Sequence, residues 1–595
     1  MTPAGYLTLG ILAAAVVAFA TGRWRPDAVA LLALLALLVS RILDPRAAFA
    51  GFGSPVLVTV GAVYVVSAGL ERTGVAASIG RRLFRLAGAN EAVLILALGG
   101  VAGLLSGVMN SIGAMAVLLP AAMATAREAR LSPSRLLLPL ALGTRLGGNL
   151  TLIAGPSNLI ASTALETAGL RPFGFFEFLP IGGTFLVAGL LFIAFVTRHW
   201  LPSTAPAERP TRGRLLDLYR LRERLFEIRI ADDSPLVGKT LESSELGSTW
   251  GVTVLSITRR RRRLVAPGPA EALAAGDRLL VQGRLEELLQ SRFLDAAHVN
   301  ERGPINVAGL ESRDVRIVEV ILAPRSALAG KSLREIDFRE KYGLTVVAVW
   351  REGRPRRTAL VDLPVQLGDA LLVQGHRDRI RVLSRDPDFL VLEPEGGAAM
   401  RTGRAAWAVG ALVLMILLST AGIEIAVAAL AAAALVVAAG CVTAEEIYQF
   451  VDWRVIVFIG AMLPISTALT TTGAAAQVVS GVIDTVGRGT LPALIALLGI
   501  GIVANQVMPS VAATVLLAPI ALQIAAATGS GAHAFMMAVI AATGTTFTPI
   551  SNPVNLLVMG PGGYKMSDYV RIGLPLALLL AGLSLIVIPL FWPLH

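Results

Sequence analysis

Two stretches of the chain repeat each other, and this repetition decides the fold. VGAVYVVSAGLERTG (residues 60–74) aligns with IGAMLPISTALTTTG (residues 459–473), and MNSIGAMAVLLP (residues 109–120) aligns with MPSVAATVLLAP (residues 508–519). Both pairs are offset by 399 positions. A constant offset that holds over about sixty residues predicts two copies of one structural unit.

The composition is that of a membrane protein. Of the 595 residues, 55% are hydrophobic and only 16% are charged, whereas soluble domains carry about a quarter charged residues. Several apolar runs approach the length of a spanning helix. The first run lacks the basic start of a signal peptide, so we expect it to remain as a span.

Charge and cysteine content exclude other classes. The net charge of +11 comes from arginines in loops beside the predicted spans, as the positive-inside rule requires. We therefore predict the lipid bilayer, and no nucleic acid, as a partner. The single cysteine, Cys441, excludes an internal disulfide and any metal centre built on several cysteines.

A polar segment separates the two apolar halves, which we place at residues 1–204 and 403–595. This segment is itself a tandem repeat with an offset of 92 positions, because GVTVLSITR (residues 251–259) aligns with GLTVVAVWR (residues 343–351). GDRLLVQG (residues 276–283) aligns with GDALLVQG (residues 368–375) at the same offset. Short alternating runs with Gly-Asp turns predict two small α/β domains, at 222–295 and 313–393.

Each apolar half offers three plain helices, a hairpin, a broken helix and a last helix. The hairpin enters and leaves on one side, so each half crosses the membrane an odd number of times and the second half is inverted. Inverted repeats with broken helices are typical of secondary transporters. The fold class is thus a mainly α polytopic membrane protein with an inserted tandem of small α/β domains.

The positive-inside rule sets the orientation. It predicts a multi-pass protein of the inner (plasma) membrane, with both termini outside and the central domains cytoplasmic. Most loop arginines then lie inside, among them Arg72, Arg135, Arg401 and Arg454, and the exceptions outside are Arg41, Arg46, Arg171 and Arg488.

Polar residues cluster where each hairpin should turn. They are Ser106, Asn110 and Ser111 in the first half and Asn505, Ser510 and Thr514 in the second. Helix N-termini exposed at such a tip favour an anion, while hydroxyl and amide oxygens suit a hard cation such as sodium. The alternative is a close helix interface with Ser and Asn bonded across it.

Two further segments combine Gly, Pro and Asn inside an apolar span: residues 143–162 and residues 542–563. Broken helices are tolerated only where they are buried or line a cavity. The alternative is a helix kinked by proline, without a ligand. Candidate ligands in these segments are Asn149, Gly155, Ser157, Asn158, Thr548, Ser551, Asn552 and Asn555.

Arg145 is the one strong charge that we place within a span. It could offset the charge of an anionic substrate, or it could replace one coupling cation. The third possibility is that its side chain reaches to the cytoplasmic face, since Arg135 lies only ten positions earlier. The sequence leaves these three open.

MNS (residues 109–111), GPSN (residues 155–158) and SNPVN (residues 551–555) make the chain resemble the divalent-anion/sodium symporter family of the ion-transporter superfamily. Pro509 departs from that pattern, because the family often has Asn there. The resemblance implies a homodimer that carries sulfate or a di- or tricarboxylate with Na⁺ as the coupling ion, without a cofactor and without enzymatic activity. It implies an anion site formed by Asn110, Ser111, Ser157, Asn158, Ser510, Asn552 and Asn555, to which we add Arg145 as a candidate, and sodium sites formed by Ser106, Asn110, Gly155, Asn505, Ser510 and Ser551.

Each copy of the central tandem resembles the TrkA-C (RCK-C) domains of potassium-transport regulators, on its G-K-x-L start and its G-D-x-L-x-x-x-G end. That resemblance implies regulation, with a small ligand as a partner. Two other functions stay open: an arsenite-type anion efflux permease, and a ligand-gated channel or membrane sensor. Sodium-coupled uptake would separate a symporter from both.

Overall fold

A computed structural model describes most of the chain, in two compact units. The helical unit comprises residues 1–204, 400–558 and 565–595, and the second unit comprises 205–399 with 559–564. The described residues are 3–21, 24–86, 90–129, 131–201, 225–244, 246, 253–259, 262–265, 267–268, 270–282, 297–300, 315–323, 326, 328–351, 354–356, 360–384, 386, 388–391, 400–487, 489–548 and 552–594.

Within its described residues, the first apolar half folds into ten α-helices. Proline occupies the first turn of α2, α3, α4, α8 and α9, where its missing N–H costs nothing. The helices are α1 (Pro3–Thr21), α2 (Pro26–Val39), α3 (Pro45–Ala50), α4 (Pro55–Arg72), α5 (Val75–Leu86), α6 (Glu91–Ser106), α7 (Ser111–Glu128), α8 (Pro133–Gly147), α9 (Pro156–Thr167) and α10 (Leu179–Phe195).

In the part of the central segment that the structure describes, the chain forms two antiparallel sheets, each with five strands. Their orders are β3-β2-β4-β1-β5 and β8-β7-β9-β6-β10, which is one topology used twice. The strands are β1 (Leu225–Ile230), β2 (Thr253–Arg259), β3 (Arg262–Val265), β4 (Arg278–Gln282), β5 (Ala297–Asn300), β6 (Val315–Leu322), β7 (Thr345–Arg351), β8 (Arg354–Arg356), β9 (Ala370–His376) and β10 (Phe389–Val391). Two short helices belong to the second copy, α11 (Phe338–Tyr342) and α12 (Arg377–Leu383).

An arginine–aspartate pair braces each sheet at the Gly-Asp turn. Arg259 Nε donates to Asp277 Oδ1 at 2.8 Å, and Arg351 Nε donates to Asp369 Oδ1 at 2.8 Å. The repeated Asp therefore has a structural role. Arg259 is therefore ion-paired where β2 ends. In addition, β5 ends at residue 300, so the first copy extends beyond the predicted limit at 295.

The second apolar half repeats the first. Its helices are α13 (Ala405–Thr420), α14 (Ile425–Ala438), α15 (Ala444–Phe450), α16 (Trp453–Thr471), α17 (Ala474–Val486), α18 (Thr490–Val507), α19 (Ser510–Thr528), α20 (Ala532–Gly544), α21 (Pro553–Gly562) and α22 (Met566–Phe591). The offset of 399 separates the starts of α2 and α14, of α3 and α15, of α6 and α18, and of α7 and α19. The two-copy prediction is confirmed.

The two repeats interlock. α4 packs against α14, and α2 packs against α16, so each repeat supplies helices to the other. Within the part of the chain that the structure describes, seven helical segments are long and apolar enough to cross a membrane, and shorter apolar helices accompany them. The predicted fold class, a polytopic helical protein with small sheets inserted, is confirmed.

Glu446 lies in α15 and binds two arginines. Its carboxylate lies 3.1 Å from Arg72 Nη2 and 2.8 Å from Arg401 Nη1. It also completes a capping box with Thr443 at the start of α15, which stabilises the helix end.

Candidate functional site

The first hairpin turns between α6 and α7, and its predicted polar residues meet there. Ser106 Oγ and Ser111 Oγ lie 2.6 Å apart. Asn110 Oδ1 accepts the Ile112 N–H at 2.8 Å, which caps α7. The Asn110 N–H donates to Ser67 Oγ on α4 at 3.2 Å. This tip is therefore fastened to a helix outside the hairpin.

The first broken helix is interrupted between α8 and α9. Asn158 is buried, and its Nδ2 donates to Thr151 O at 2.8 Å and Gly148 O at 3.2 Å. These bonds satisfy carbonyls that the interruption leaves open. The Thr151 hydroxyl donates to Gly107 O at the first tip, so the break and the tip form one structure. Gly155 caps α9, and the half-buried Ser157 lies in its first turn.

The second hairpin turns between α18 and α19 with different contacts. Pro509 stands where the first tip has Asn110, and it has no N–H to donate. Asn505 is buried, and its Nδ2 donates to Thr545 O at 2.9 Å. The neighbouring Gln506 Nε2 donates to the same carbonyl at 3.2 Å. The second tip is thus bonded to the second break.

The second broken helix is interrupted between α20 and α21. Asn555 Nδ2 donates to Thr548 O at 3.3 Å, which repeats the Asn158–Thr151 bond at the same spacing of seven residues. Asn552 Oδ1 accepts the Val554 N–H at 2.9 Å and caps α21. Ser551, a predicted sodium ligand, lies outside the described residues.

Arg145 joins the two repeats. Its Nη2 donates to Ser510 Oγ at 2.8 Å and to Thr543 O, so the guanidinium points at the second tip rather than at a membrane surface. Among the described residues, no carboxylate lies within ion-pair distance of it. An arginine in the middle of a spanning helix costs about 2.5–3.5 kcal/mol on insertion scales. Its charge is therefore held in place without an acidic partner.

Polar atoms that are buried without a hydrogen-bond partner gather at these segments. Among the described residues they include two donors, Arg145 Nε and Asn149 Nδ2, and three oxygens, Asn505 Oδ1, Thr546 Oγ1 and Asn555 Oδ1. Both Asn505 and Asn555 use their Nδ2 on a carbonyl, which fixes the oxygen as the unpartnered atom. Each such atom costs about 1–3 kcal/mol, so a ligand that satisfied them would be stabilised.

The two breaks lie against each other. A Cβ at Gly544 would overlap the Asn149 amide, which shows how closely α20 approaches the first break. A Cβ at Gly148 would lie 3.6 Å from Ser111 Oγ. The four predicted clusters therefore form one continuous polar region inside the helical unit.

Sequence reasoning missed Gln506, Thr543 and Thr546 as members of this region. Thr543 and Thr546 lie within the broken-helix segment that the sequence singled out, and Gln506 adjoins Asn505 in the second tip. Position within a predicted break was thus the available signal for the two threonines.

Comparison with known proteins identifies the family of the chain. The family model described as "CitMHS: Citrate transporter" matches residues 16–542. The chain belongs to this family of transporters. It is a multi-pass membrane transporter, and not an enzyme.

Relatives support the same assignment. The "Uncharacterized transporter YfbS" of Escherichia coli (strain K12) is 36% identical over 98% of both chains. The "Uncharacterized transporter sll0640" of Synechocystis is 32% identical over 96% of this chain and 95% of that protein. The "Probable sodium/sulfate cotransporter 3" of Chlamydomonas reinhardtii is 26% identical over 60% of this chain and 41% of that protein.

Proposed function

We propose that this transporter is a symporter that couples sodium to the uptake of a small divalent anion, either sulfate or a di- or tricarboxylate. The observation that carries the proposal is Arg145, a fixed positive charge without an acidic partner between the second tip and the second break. An anion bound there would neutralise the charge and satisfy the buried Nε.

Hydrogen-bond donors and acceptors are separated in the site, and this favours two ligands of opposite charge. The unpartnered donors Arg145 Nε and Asn149 Nδ2 suit an anion, while the unpartnered oxygens of Asn505, Thr546 and Asn555 suit a hard cation. The first tip offers further oxygens at Ser106 and Ser111. Bound together, the two ions would lower the cost of moving either charge through the membrane.

The relatives supply the chemical class. The "Probable sodium/sulfate cotransporter 3" and "Sodium/sulfate cotransporter 2" of Chlamydomonas reinhardtii are named for sodium and sulfate, and the matching family is described by citrate. All three substrates in those names are compatible with a site built from one guanidinium and neutral oxygens.

Uptake into proteoliposomes tests the proposal. Purified protein is supplied with labelled sulfate, succinate or citrate, with an inward sodium gradient or with choline in place of sodium. We expect saturable uptake of one of the three only with sodium, and no effect of a protonophore. Equal uptake in choline would overturn sodium coupling, and no uptake of any of the three would overturn the substrate class.

We also propose that the protein is a homodimer of the inner membrane with both termini outside, and that the central tandem regulates it from the cytoplasm. The positive-inside charge pattern supports the orientation. The repeated sheets with their Arg–Asp braces support a stable module whose resemblance is to regulatory TrkA-C domains. Nucleotide titrations of the purified protein, followed by thermal shift, would test whether that module binds a small regulatory ligand.

A further inference from the structure

A cavity of about 450 Å³ lies in the helical unit, between α9 and α19 on one side and α3 and α16 on the other. Among the residues that the structure describes, no charged side chain lines it. Its polar lining is made of hydroxyls and an amide, which include Ser54, Thr163, Thr167, Ser466, Thr467 and Gln523. Neutral donors can solvate an anion weakly enough for it to leave again.

The cavity runs from near the second tip to the ends of helices. Val515 lines its inner part and lies five positions after Ser510, where α19 begins at the tip. Thr167 ends α9, and Thr470 lies one residue before the end of α16. In the orientation proposed above, all of these helix ends lie on the outer side.

The inverted repeat defines the equivalent space on the opposite side, and at three of its positions the residues are large or charged where the cavity has small ones. At the offset of 399, Ala47 corresponds to Glu446, Gly51 to Phe450 and Ser54 to Trp453. A small residue that leaves room in the cavity thus has a bulky counterpart.

Glu446 is the centre of a contact on this opposite side. It binds Arg72 at 3.1 Å and Arg401 at 2.8 Å, and the Arg72 guanidinium lies 5.1 Å from the centre of the Phe450 ring. The Arg401 N–H also donates to Arg72 O at 2.9 Å. Burial raises the pKa of Glu446, but the Thr443 N–H and the two arginines outweigh this and lower the pKa below its usual value. Glu446 is therefore ionised at neutral pH.

We propose that the cavity is the outer vestibule through which a small oxyanion reaches the tips, and that Arg72, Glu446 and Arg401 form the gate that seals the equivalent inner space. The choice of an oxyanion rests on the proposed function, whereas the gate rests on geometry alone. Arg401 follows the inserted domains in the sequence, so those domains have a covalent route to the gate.

Two cysteine variants at equivalent positions test this assignment. Thr467→Cys lies in the cavity, and Ala68→Cys is its counterpart in the first repeat, where Ala68 is buried. The unmodified protein is the background, since its Cys441 is buried. A membrane-impermeant methanethiosulfonate reagent is added to intact spheroplasts and, separately, to inside-out vesicles.

We expect Thr467→Cys to react from outside and Ala68→Cys to react from neither side. Combining Ala68→Cys with Glu446→Gln should open the gate. The rate at which the cysteine of Ala68→Cys reacts from the inside should then rise roughly tenfold, as expected for the loss of charged hydrogen bonds. Glu445→Gln is the matched control, because Glu445 is the exposed neighbour, and it should leave Ala68→Cys unreactive.

Three results would overturn the proposal. If Thr467→Cys does not react from outside, the cavity is not an outer vestibule. If Ala68→Cys reacts while the gate is intact, the inner space is not sealed. If Ala68→Cys stays unreactive both with Glu446→Gln and with Arg401→Gln, these residues do not form a gate. None of these results depends on which anion is carried or on sodium, so the vestibule and gate can fail while the proposed function stands, and the reverse.

Discussion

The two hairpin tips share a backbone plan but differ in what holds them. At the first tip, the Asn110 N–H binds Ser67 on α4. At the second tip Pro509 has no N–H, and Ser466, the counterpart of Ser67, lines the cavity instead. The second tip is held by Arg145 from the other repeat through Ser510. The internal repeat thus sets the positions of the two tips, while single residue differences change what holds them. The first tip is bound to the neutral hydroxyl of Ser67, and the second to the charged guanidinium of Arg145.

Removing the charge at the second tip should have the largest effect. Arg145→Met loses the bond to Ser510 and the positive charge, so we expect anion binding to weaken about tenfold to a hundredfold, the range for charged hydrogen bonds. Arg145→Lys should retain part of the affinity, since it keeps the charge but loses the planar fork. Affinity is measured by binding of the transported anion to purified protein.

Arg135→Met on the same helix is the control. Arg135 forms an ion pair with Glu91, with 2.9 Å between Nη1 and Oε2, and this pair is not part of the tips. Unchanged anion affinity in Arg145→Met would show that the guanidinium only braces the fold.

The two equivalent asparagines of the breaks should separate stability from sodium dependence. Asn158→Ala leaves two buried carbonyls without a donor, at about 1–3 kcal/mol each, so we expect the larger drop in melting temperature. Asn555→Ala loses one longer bond and an unpartnered oxygen, so it should mainly raise the sodium concentration for half-maximal uptake. The reverse order of effects would contradict the assignment of Asn555 to sodium.

The hydrogen bond from the Asn110 N–H to Ser67 should make a smaller contribution to stability, and only at the first tip. Ser67→Ala removes the acceptor of the Asn110 N–H and should cost about 1 kcal/mol, with faster hydrogen exchange at the first tip. Ser466→Ala, its counterpart, should change the stability by much less. Equal losses in both variants would show that the tips are not held differently.

Restoring the missing N–H at position 509 should have the smallest effect on stability of the changes considered. Pro509→Ala provides a donor opposite Ser466, and we expect a stability change of about 0.5–1.5 kcal/mol at most. A double-mutant cycle with Ser466→Ala should show coupling between the two sites. A coupling energy of zero would mean that the backbone conformation of the second tip, and not Pro509, prevents a hydrogen bond to Ser466.

The two-copy arrangement of the helices could be predicted from the sequence, because two short motif pairs share an offset of 399 positions. Four pairs of helix starts have the same offset. The sequence predicted the breaks because Gly and Pro act locally on the backbone. It could not predict the partner of Arg145, since Ser510 lies 365 positions away in the chain. The ion pair of Glu446 could not be predicted for the same reason: its capping box with Thr443 is local, but the pair needs Arg72 from the other repeat.

The interlocked pairing of α4 with α14 and of α2 with α16 has a consequence for biosynthesis. A ribosome that has just completed Arg72 must translate the rest of the first repeat and all of the inserted domains before Ile425 exists. At about 5–20 residues per second this takes roughly 20 to 70 seconds. During that interval α2 and α4 lie in the bilayer without their final neighbours, so the nascent first half depends on lipid or on the insertion machinery to cover them.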